Sequence, residues 1–393
     1  MRHHAGVAIL VLAISHLAGG ALADPPAGYY DSVDDSSSES LRLTLHEVID
    51  DHQRFPYSSS STDTWNVLEA ADEDPNNSSN ILDVYKNASY VKFGGGEGVY
   101  NREHSWPNSY GFSDDGSQNY PYTDCHHLFL CNVSYNSYRG SRPFDYCSDS
   151  CSERITDINN GQGGGVGTYP GNSNWFSGAD GPYGIWETWI GRKGDIARAQ
   201  FYMDVRYEGG NHGGTGAWEP DLILTDDRAL IAASQTGNNE TVAYMGLASV
   251  LYQWHLEDPV DDMERSRNDV IYSYQGNRNP FIDHPEWLQV LTAVDAPPVQ
   301  PAHVKLHQNF PNPFNPNTNI VFEIDSPRSV SLSIYTLAGS KVMTLLDGEV
   351  SAGQHAIKWD GRDQSGKEMS SGNYFYRIVD GDTSITKKLL LLK

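Results

Sequence analysis

The sequence predicts an α+β domain over residues 39–291 and a separate all-β sandwich over residues 306–393. Three observations carry that reading. Charge is unevenly spread: residues 24–295 hold 16 Lys/Arg against 42 Asp/Glu, whereas residues 296–393 hold 10 against 9. Compositions so different mark two domains. The longer part mixes helical apolar spacing with short Gly-, Asn- and Tyr-rich runs, while the shorter part alternates strand runs with turn signals. Between them the run from Asp295 to Pro301 is Pro-rich and reads as a linker, placed at residues 292–305. With 38% hydrophobic and 11% aromatic residues the chain has the material for packed cores, which argues against wholesale disorder.

In chain order, residues 1–23 read as an export signal: Arg2 is the positive start, Ala5 to Leu17 the apolar stretch, and Ala21-Leu22-Ala23 the small-residue cleavage site. That apolar stretch is too short to span a bilayer, which takes ~20 residues, so no integral membrane span is expected. Residues 24–38 are Ser/Asp-rich without apolar period and read as a disordered lead. Leu41, Leu45, Val48 and Ile49 then share one helical face. A Gly-, Asn- and Tyr-rich middle over 94–184 reads as short strands and loops. Its Gly-Gly-Gly stretches lack the Lys-Ser/Thr of a phosphate loop. Ile196, Ala199, Gln200, Met203 and Tyr207 predict a helix over 194–207. Thr225 is placed as N-cap of a helical turn over 226–233, and a further helix is predicted over 240–256. Asp258 and Pro259 are read as opening another, running to about Tyr274. Beyond the linker, strands are predicted at 319–324, 330–335, 341–346, 355–359, 373–379 and 384–391.

Export bears on the cysteines. Cys125, Cys131, Cys147 and Cys151 are even in number and close in sequence, which in an oxidising compartment suggests two disulfides, their pairing left open among three arrangements. A four-thiolate zinc site is the rival, but its usual x2–x4 spacing is absent on one side. The formal net charge of −24 excludes a protein that grips nucleic acid by bulk positive charge, though not one that grips it locally.

The densest polar cluster is Asn101-Arg102-Glu103-His104-Ser105-Trp106-Pro107, followed by Asp124-Cys125-His126-His127-Leu128 and then Asn136 and Arg139. A strand pair holding His104, followed by a helix holding Asn136, would converge a base and an oxygen ligand. Phosphodiester hydrolysis needs that set: water deprotonated, the leaving oxygen neutralised and the phosphate charge met by a cation. These stretches, together with residues 194–207 and 275–285 (QGNRNPFIDHP), resemble the bacterial endonuclease I family. That family belongs to the ββα-metal, or His-Me finger, nucleases, and the likeness runs from about Ser40 to Trp287.

The resemblance implies a ββα-metal core with surrounding helices. His104 falls on the family's general base, and Glu103 and Asn136 on the ligands of Mg2+, with Mn2+ or Ca2+ as substitutes. Mg2+ prefers hard oxygen ligands and keeps positions open for water and phosphate. Arg139 is expected to meet a phosphate bidentately, against the alternative of structural pairing with an acid, and Arg102 is ambiguous in the same way. Asp124, His126 and His127 are expected to shape the site and orient His104. Asn277, Asn279 and Pro280 are expected to form a fixed turn bordering the substrate groove, with a structural role ranked ahead of contact with DNA. The chain departs from the family where Cys125 replaces a common Leu and Leu130 a common Pro. The implied activity is a secreted, largely sequence-non-specific endonuclease acting on DNA, and on RNA as a second substrate, with a monomer as the expected state. Its alternatives are a surface nucleic-acid or matrix binder with an inactive nuclease fold, and a secreted zinc hydrolase using His126 and His127. Adjacent histidines on a strand would face opposite ways, which weighs against the last.

An acidic domain must still approach an acidic polymer. Arg102, Arg139, Arg142, Arg192, Lys193 and Arg198 are candidates for a local positive stripe, and salt would screen the remaining repulsion. Residues 306–393, with Gln308 to Pro316, Trp359-Asp360-Gly361, Gly372 to Tyr376 and the Lys387-Lys388 tail, resemble the Ig-like C-terminal sorting domains of type IX secretion, related to the flagellar hook-cap Ig-like fold. That implies the type IX machinery as a partner, with passage to the cell surface or beyond.

Overall fold

The computed structural model describes residues 24–292 except Glu97, and residues 304–392 except 308, 313, 337–340 and 381–382. The expected signal over 1–23 and most of the expected linker lie outside the described residues. The chain divides into two compact units, Met1–Val294 and Asp295–Lys393. Among the described residues no helix is long and apolar enough to cross a membrane.

The first unit is built around one buried helix, Lys193–Arg206, in which no residue is exposed. Its apolar side chains pack with Leu41 and Leu45 of the helix Ser38–Ile49, Leu251 and Trp254 of Ala248–Glu257, and Leu222 of the strand Trp218–Leu224. A helix buried all round has no polar face to send to water, so its charges are paired: Arg198 with Glu264, Arg206 with Glu219, Arg192 with Asp195 at its start.

On this core sits the element that positions the candidate chemistry. The strand Tyr100–His104 pairs antiparallel with Leu128–Asn132, Glu103 opposite Phe129 and His104 opposite Leu128. The chain then turns directly into the helix Val133–Arg139, with Asn132 as N-cap accepting from the backbone N–H groups of Ser134 and Tyr135. Strand alternation sends Phe129 and Cys131 into the main core, and Leu128 and Leu130 into a smaller cluster with Val67, Leu68 and Ile271.

The same alternation corrects the cysteine expectation. Cys125 packs in the smaller cluster and Cys131 in the main core, so the two lie on opposite faces and are free and buried. Only Cys147 and Cys151 are bonded. The disordered lead is corrected as well. Tyr29 and Tyr30 pack edge-on against Tyr272 and Trp287, and the Tyr30 hydroxyl donates to Asp283 at 2.7 Å.

Three helix readings shift. Asp227, not Thr225, caps the helix Arg228–Ser234, because its carboxylate takes the N–H groups of Ala229 and Leu230. Residues Val242–Met245 form a strand parallel to Trp218–Leu224, and helix begins only at Ala248. The reason is at Gly246, where the backbone crosses so close that a Cβ would lie 2.2 Å from the Thr225 carbonyl oxygen. Asp261 caps Asp262–Gln275, while Asp258 accepts from the Gly194 N–H at the start of the buried helix. The helix Thr64–Ala71, with a capping box between Asp63 and Asn66, was not expected.

The second unit is a two-sheet sandwich. One sheet runs Val304–Leu306, Thr318–Ile324, Gly353–Trp359; the other runs Lys341–Val350, Arg328–Thr336, Gly372–Asp380, Thr383–Leu391. Ile320, Phe322, Leu332, Ile334, Trp359, Tyr376 and Leu389 fill the space between them.

Candidate active site

Glu103 is buried in the first strand of the strand–strand–helix unit. Its Oε1 accepts from the Tyr85 hydroxyl at 2.9 Å and faces the Arg139 guanidinium at 3.3 Å. Both contacts fall on Oε1, which leaves Oε2 for another cation. Burial pushes its carboxyl up to about 7, only partly opposed by Arg139 and the Tyr85 hydrogen bond. A buried carboxylate whose charge is incompletely met gains from a metal ion.

Asn136 comes alongside from the helix. Its amide Nδ2 donates to Asn101 Oδ1 at 2.8 Å and to the Arg102 carbonyl at 3.4 Å. With the NH2 held by two acceptors on the strand, Oδ1 is the atom turned outward. A carboxylate oxygen and an amide oxygen on adjoining elements are the hard donor set a divalent cation such as Mg2+ takes while keeping water and phosphate positions open. The residues fit the ion that the family resemblance implies.

His104 is half-buried at the end of the same strand. Its Nε2 lies 2.9 Å from the Tyr122 carbonyl, which can only accept, so Nε2 carries the proton and Nδ1 the lone pair. Tyr57 stacks on the ring and Tyr122 meets it edge-on. Burial, together with the nearby His127, Arg102 and Arg139, holds its pKa down to about 3, so the imidazole is neutral at ordinary pH.

The other expected residues divide. Asp124 and its neighbours form a buried polar layer. Its carboxylate accepts from the hydroxyls of Tyr202 and Tyr207, Gln275 Nε2 and the His126 N–H. His127 donates from Nε2 to the Pro121 carbonyl with its ring 5.5 Å from that of His104, while His126 donates to the Asn277 carbonyl and packs on Tyr202. The two histidines diverge, so the zinc-hydrolase arrangement is not formed. Arg102 clamps the outer strand, donating to the Tyr57 carbonyl and Thr64 Oγ1 with its guanidinium over the Tyr57 and Trp65 rings.

Two expectations are corrected. Arg139 is 0% exposed and donates to the His104 and Ser105 carbonyls besides pairing with Glu103, so it braces the end of the strand Tyr100–His104 from beneath and does not face a phosphate. Asn277 and Asn279 do not border a groove. Both are buried, Asn277 donating to the Ile49 carbonyl and the Tyr202 hydroxyl, Asn279 capping Pro280–Asp283 and donating to the Arg198 carbonyl. The positive stripe is corrected too: Arg139, Arg192, Lys193 and Arg198 are buried and each is paired with a carboxylate. Sequence reasoning missed Tyr85, Tyr57 and the Tyr122 carbonyl. Asn101 stood in the quoted motif but gave no sign of its bond to Asn136.

Residues 37–286 match the Endonuclease I family model. The chain belongs to the endonuclease I family. This family member is 40% identical over 262 residues to the extracellular ribonuclease of Bacillus subtilis (strain 168), covering 66% of this chain and 76% of that one. It is equally 40% identical over 263 residues to the extracellular ribonuclease of Bacillus amyloliquefaciens, with the same coverage. Residues 312–383 match the FlgD Ig-like domain. Among solved structures, dimeric latent PorU from Porphyromonas gingivalis is matched at 24% identity over 23% of this chain and 9% of that one, with a TM-score of 0.21.

Proposed function

We propose that this endonuclease I family protein is a secreted, metal-dependent, largely sequence-non-specific endonuclease that hydrolyses phosphodiester bonds in both DNA and RNA. The observation that carries the reading is the tautomer fixed at His104 on the strand that also holds Glu103, with Asn136 bonded to that strand from the following helix. In this reading Glu103 and Asn136 would hold a divalent cation, Mg2+ first, which would supply charge neutralisation at the phosphate and the leaving oxygen. His104 Nδ1 takes a proton from the attacking water, and the Nε2–H bond to Tyr122 stabilises the imidazolium that results. Arg139 keeps the Glu103–Ser105 backbone in place. The strand–strand–helix unit then corresponds to the His-Me finger. That two relatives are named extracellular ribonucleases supports RNA as a substrate in addition to DNA, and supports export, for which residues 1–23 would be the signal. For the second unit, the FlgD Ig-like match supports a role as a type IX sorting module recognised by that machinery.

The deciding experiment incubates the chain from Asp24 onward with supercoiled plasmid and with single-stranded RNA, beside His104→Ala, in Mg2+ or EDTA. Metal-dependent cleavage that disappears in the variant is the expected result. A folded wild type that cuts neither polymer with Mg2+, Mn2+ or Ca2+ would return the protein to the surface-binding alternative. Fusion of residues 306–393 to a periplasmic reporter should carry it to the cell surface in a host with type IX secretion, and retention in the periplasm would sink the sorting role.

A further inference from the structure

Residues 24–295 contain 16 Lys/Arg, all described, and twelve of them form ion pairs with carboxylates. Among the described residues, Arg54, Arg102, Arg142 and Arg154 do not. In a domain with so large an excess of acids, a guanidinium without a carboxylate is the exception. Two of the four share one surface. The Arg154 guanidinium lies 3.4 Å from the centroid of the Tyr138 ring and 5.2 Å from that of Phe176, and the Arg142 guanidinium lies 5.3 Å from Phe176. Tyr138 and Phe176 are 5.6 Å apart, and Tyr138 is 39% exposed. Arg142 itself is buried, donating to the backbone carbonyls of Tyr138 and Gly178 and attracted by the Asp180 carboxylate, so it backs the surface from behind.

The surface is attached to the candidate active site. Tyr138 stands two residues beyond Asn136 on Val133–Arg139, so at 3.6 residues per turn it points to the opposite flank. A strand of nucleic acid held at Glu103 and Asn136 would step over the helix onto these rings. Aromatic and guanidinium planes stack on nucleobases, and only an unpaired strand offers free base faces. We propose that Tyr138, Arg154 and Phe176 form a stacking platform for unpaired nucleobases, giving the protein a preference for single-stranded nucleic acid. The proposal rests on the nuclease reading for its occupant but not for its test.

The test measures binding without cleavage, by fluorescence anisotropy on the chain from Asp24 carrying His104→Ala. The probes are a labelled single strand of about 12 nucleotides, as RNA and as DNA, and the matching duplex. Tyr138→Ala and Arg154→Gln should each weaken single-strand binding about tenfold, while Tyr138→Trp, which keeps a stacking face, should stay within about threefold of the parent. Duplex binding should change less than about threefold in all three. Unchanged single-strand binding, or equal losses on single strand and duplex, overturns the platform, as does tighter binding of an acidic peptide. If Tyr138→Ala does not fold, Arg154→Gln decides. A wild type that binds single strands through these residues but cuts nothing sinks the nuclease reading and keeps the platform. One that cuts both polymers while the variants bind like the parent sinks the platform alone.

Discussion

Asn101 is the residue that gives Asn136 its meaning. Without its Oδ1, the Asn136 amide keeps only the 3.4 Å contact to the Arg102 carbonyl and is free to flip. Outer-shell partners of metal ligands are commonly worth ~10–100-fold in metal affinity. Asn101→Ala should therefore raise the Mn2+ concentration for half-maximal cleavage by about that factor, with little change in thermal stability. An unchanged metal requirement would remove Asn136 from the ligand set. Arg139 is the opposite case, because its partners are all internal. Arg139→Ala strands the buried Glu103 carboxylate and two carbonyls, and breaking such a pair costs about 3–5 kcal/mol. Urea unfolding should show that loss. A variant as stable as wild type that has lost only activity would return Arg139 to the phosphate role the sequence suggested.

At the scale of elements, the polar layer around Asp124 ties the Leu128–Asn132 strand, the buried helix and the 275–279 turn together. Its histidines are buried neutral: burial lowers His52 to about 3 and both His126 and His127 to about 4, outweighing the pull of Asp124. Unfolded, each titrates near 6.5, so between about 6.5 and 4 the unfolded chain binds more protons and stability falls as pH drops. Asp124 acts lower. Burial raises its pKa, but the facing histidines and the His126 N–H hold it well below the usual carboxylate range, so its contribution disappears only in stronger acid. By itself this layer makes the urea midpoint decline below about pH 6.5, against the opposite contribution of Glu103, whose raised carboxyl takes up its proton in the folded chain first. The difference in midpoint between wild type and His126→Asn should therefore shrink as pH falls below about 6.5, and a difference unchanged down to about pH 4.5 would show the ring to be solvated.

This layer also marks how far the sequence could be read. The buried helix was legible from the spacing of Ile196, Ala199 and Met203, the sandwich strands from alternation between turns, and the strand pair and helix that carry Glu103, His104 and Asn136 from the order of the motif. Arg139, Asn277 and Asn279 were misread because a polar residue looks alike whether it faces substrate or a buried carbonyl. Val242–Met245 was misread because a short apolar run has no period of its own, and the close crossing at Gly246 is a long-range fact. The lead was misread because two tyrosines suffice to dock it.

For the whole molecule, the pairing of twelve cations sets how the first unit responds to salt. Binding that neutralises Z phosphates falls with log salt at a slope of about −0.7Z on single strands. With only Arg54, Arg102, Arg142 and Arg154 lacking carboxylates, Z is at most 4 and the slope no steeper than about −2.8. The excess of 42 acids over 16 bases acts in the other direction, because screening relieves their repulsion of the polymer. The net slope should therefore be shallower still, and cleavage at saturating substrate should fall less than about tenfold between roughly 0.1 and 0.5 M NaCl. Anisotropy with the single-stranded probe across that range measures the slope directly. A value steeper than about −4 would require more phosphate contacts than the unpaired guanidiniums supply. In that case paired cations must exchange their carboxylates for phosphates when nucleic acid binds, the exposed Arg265 first, and the acidic surface would no longer account for tolerance of salt.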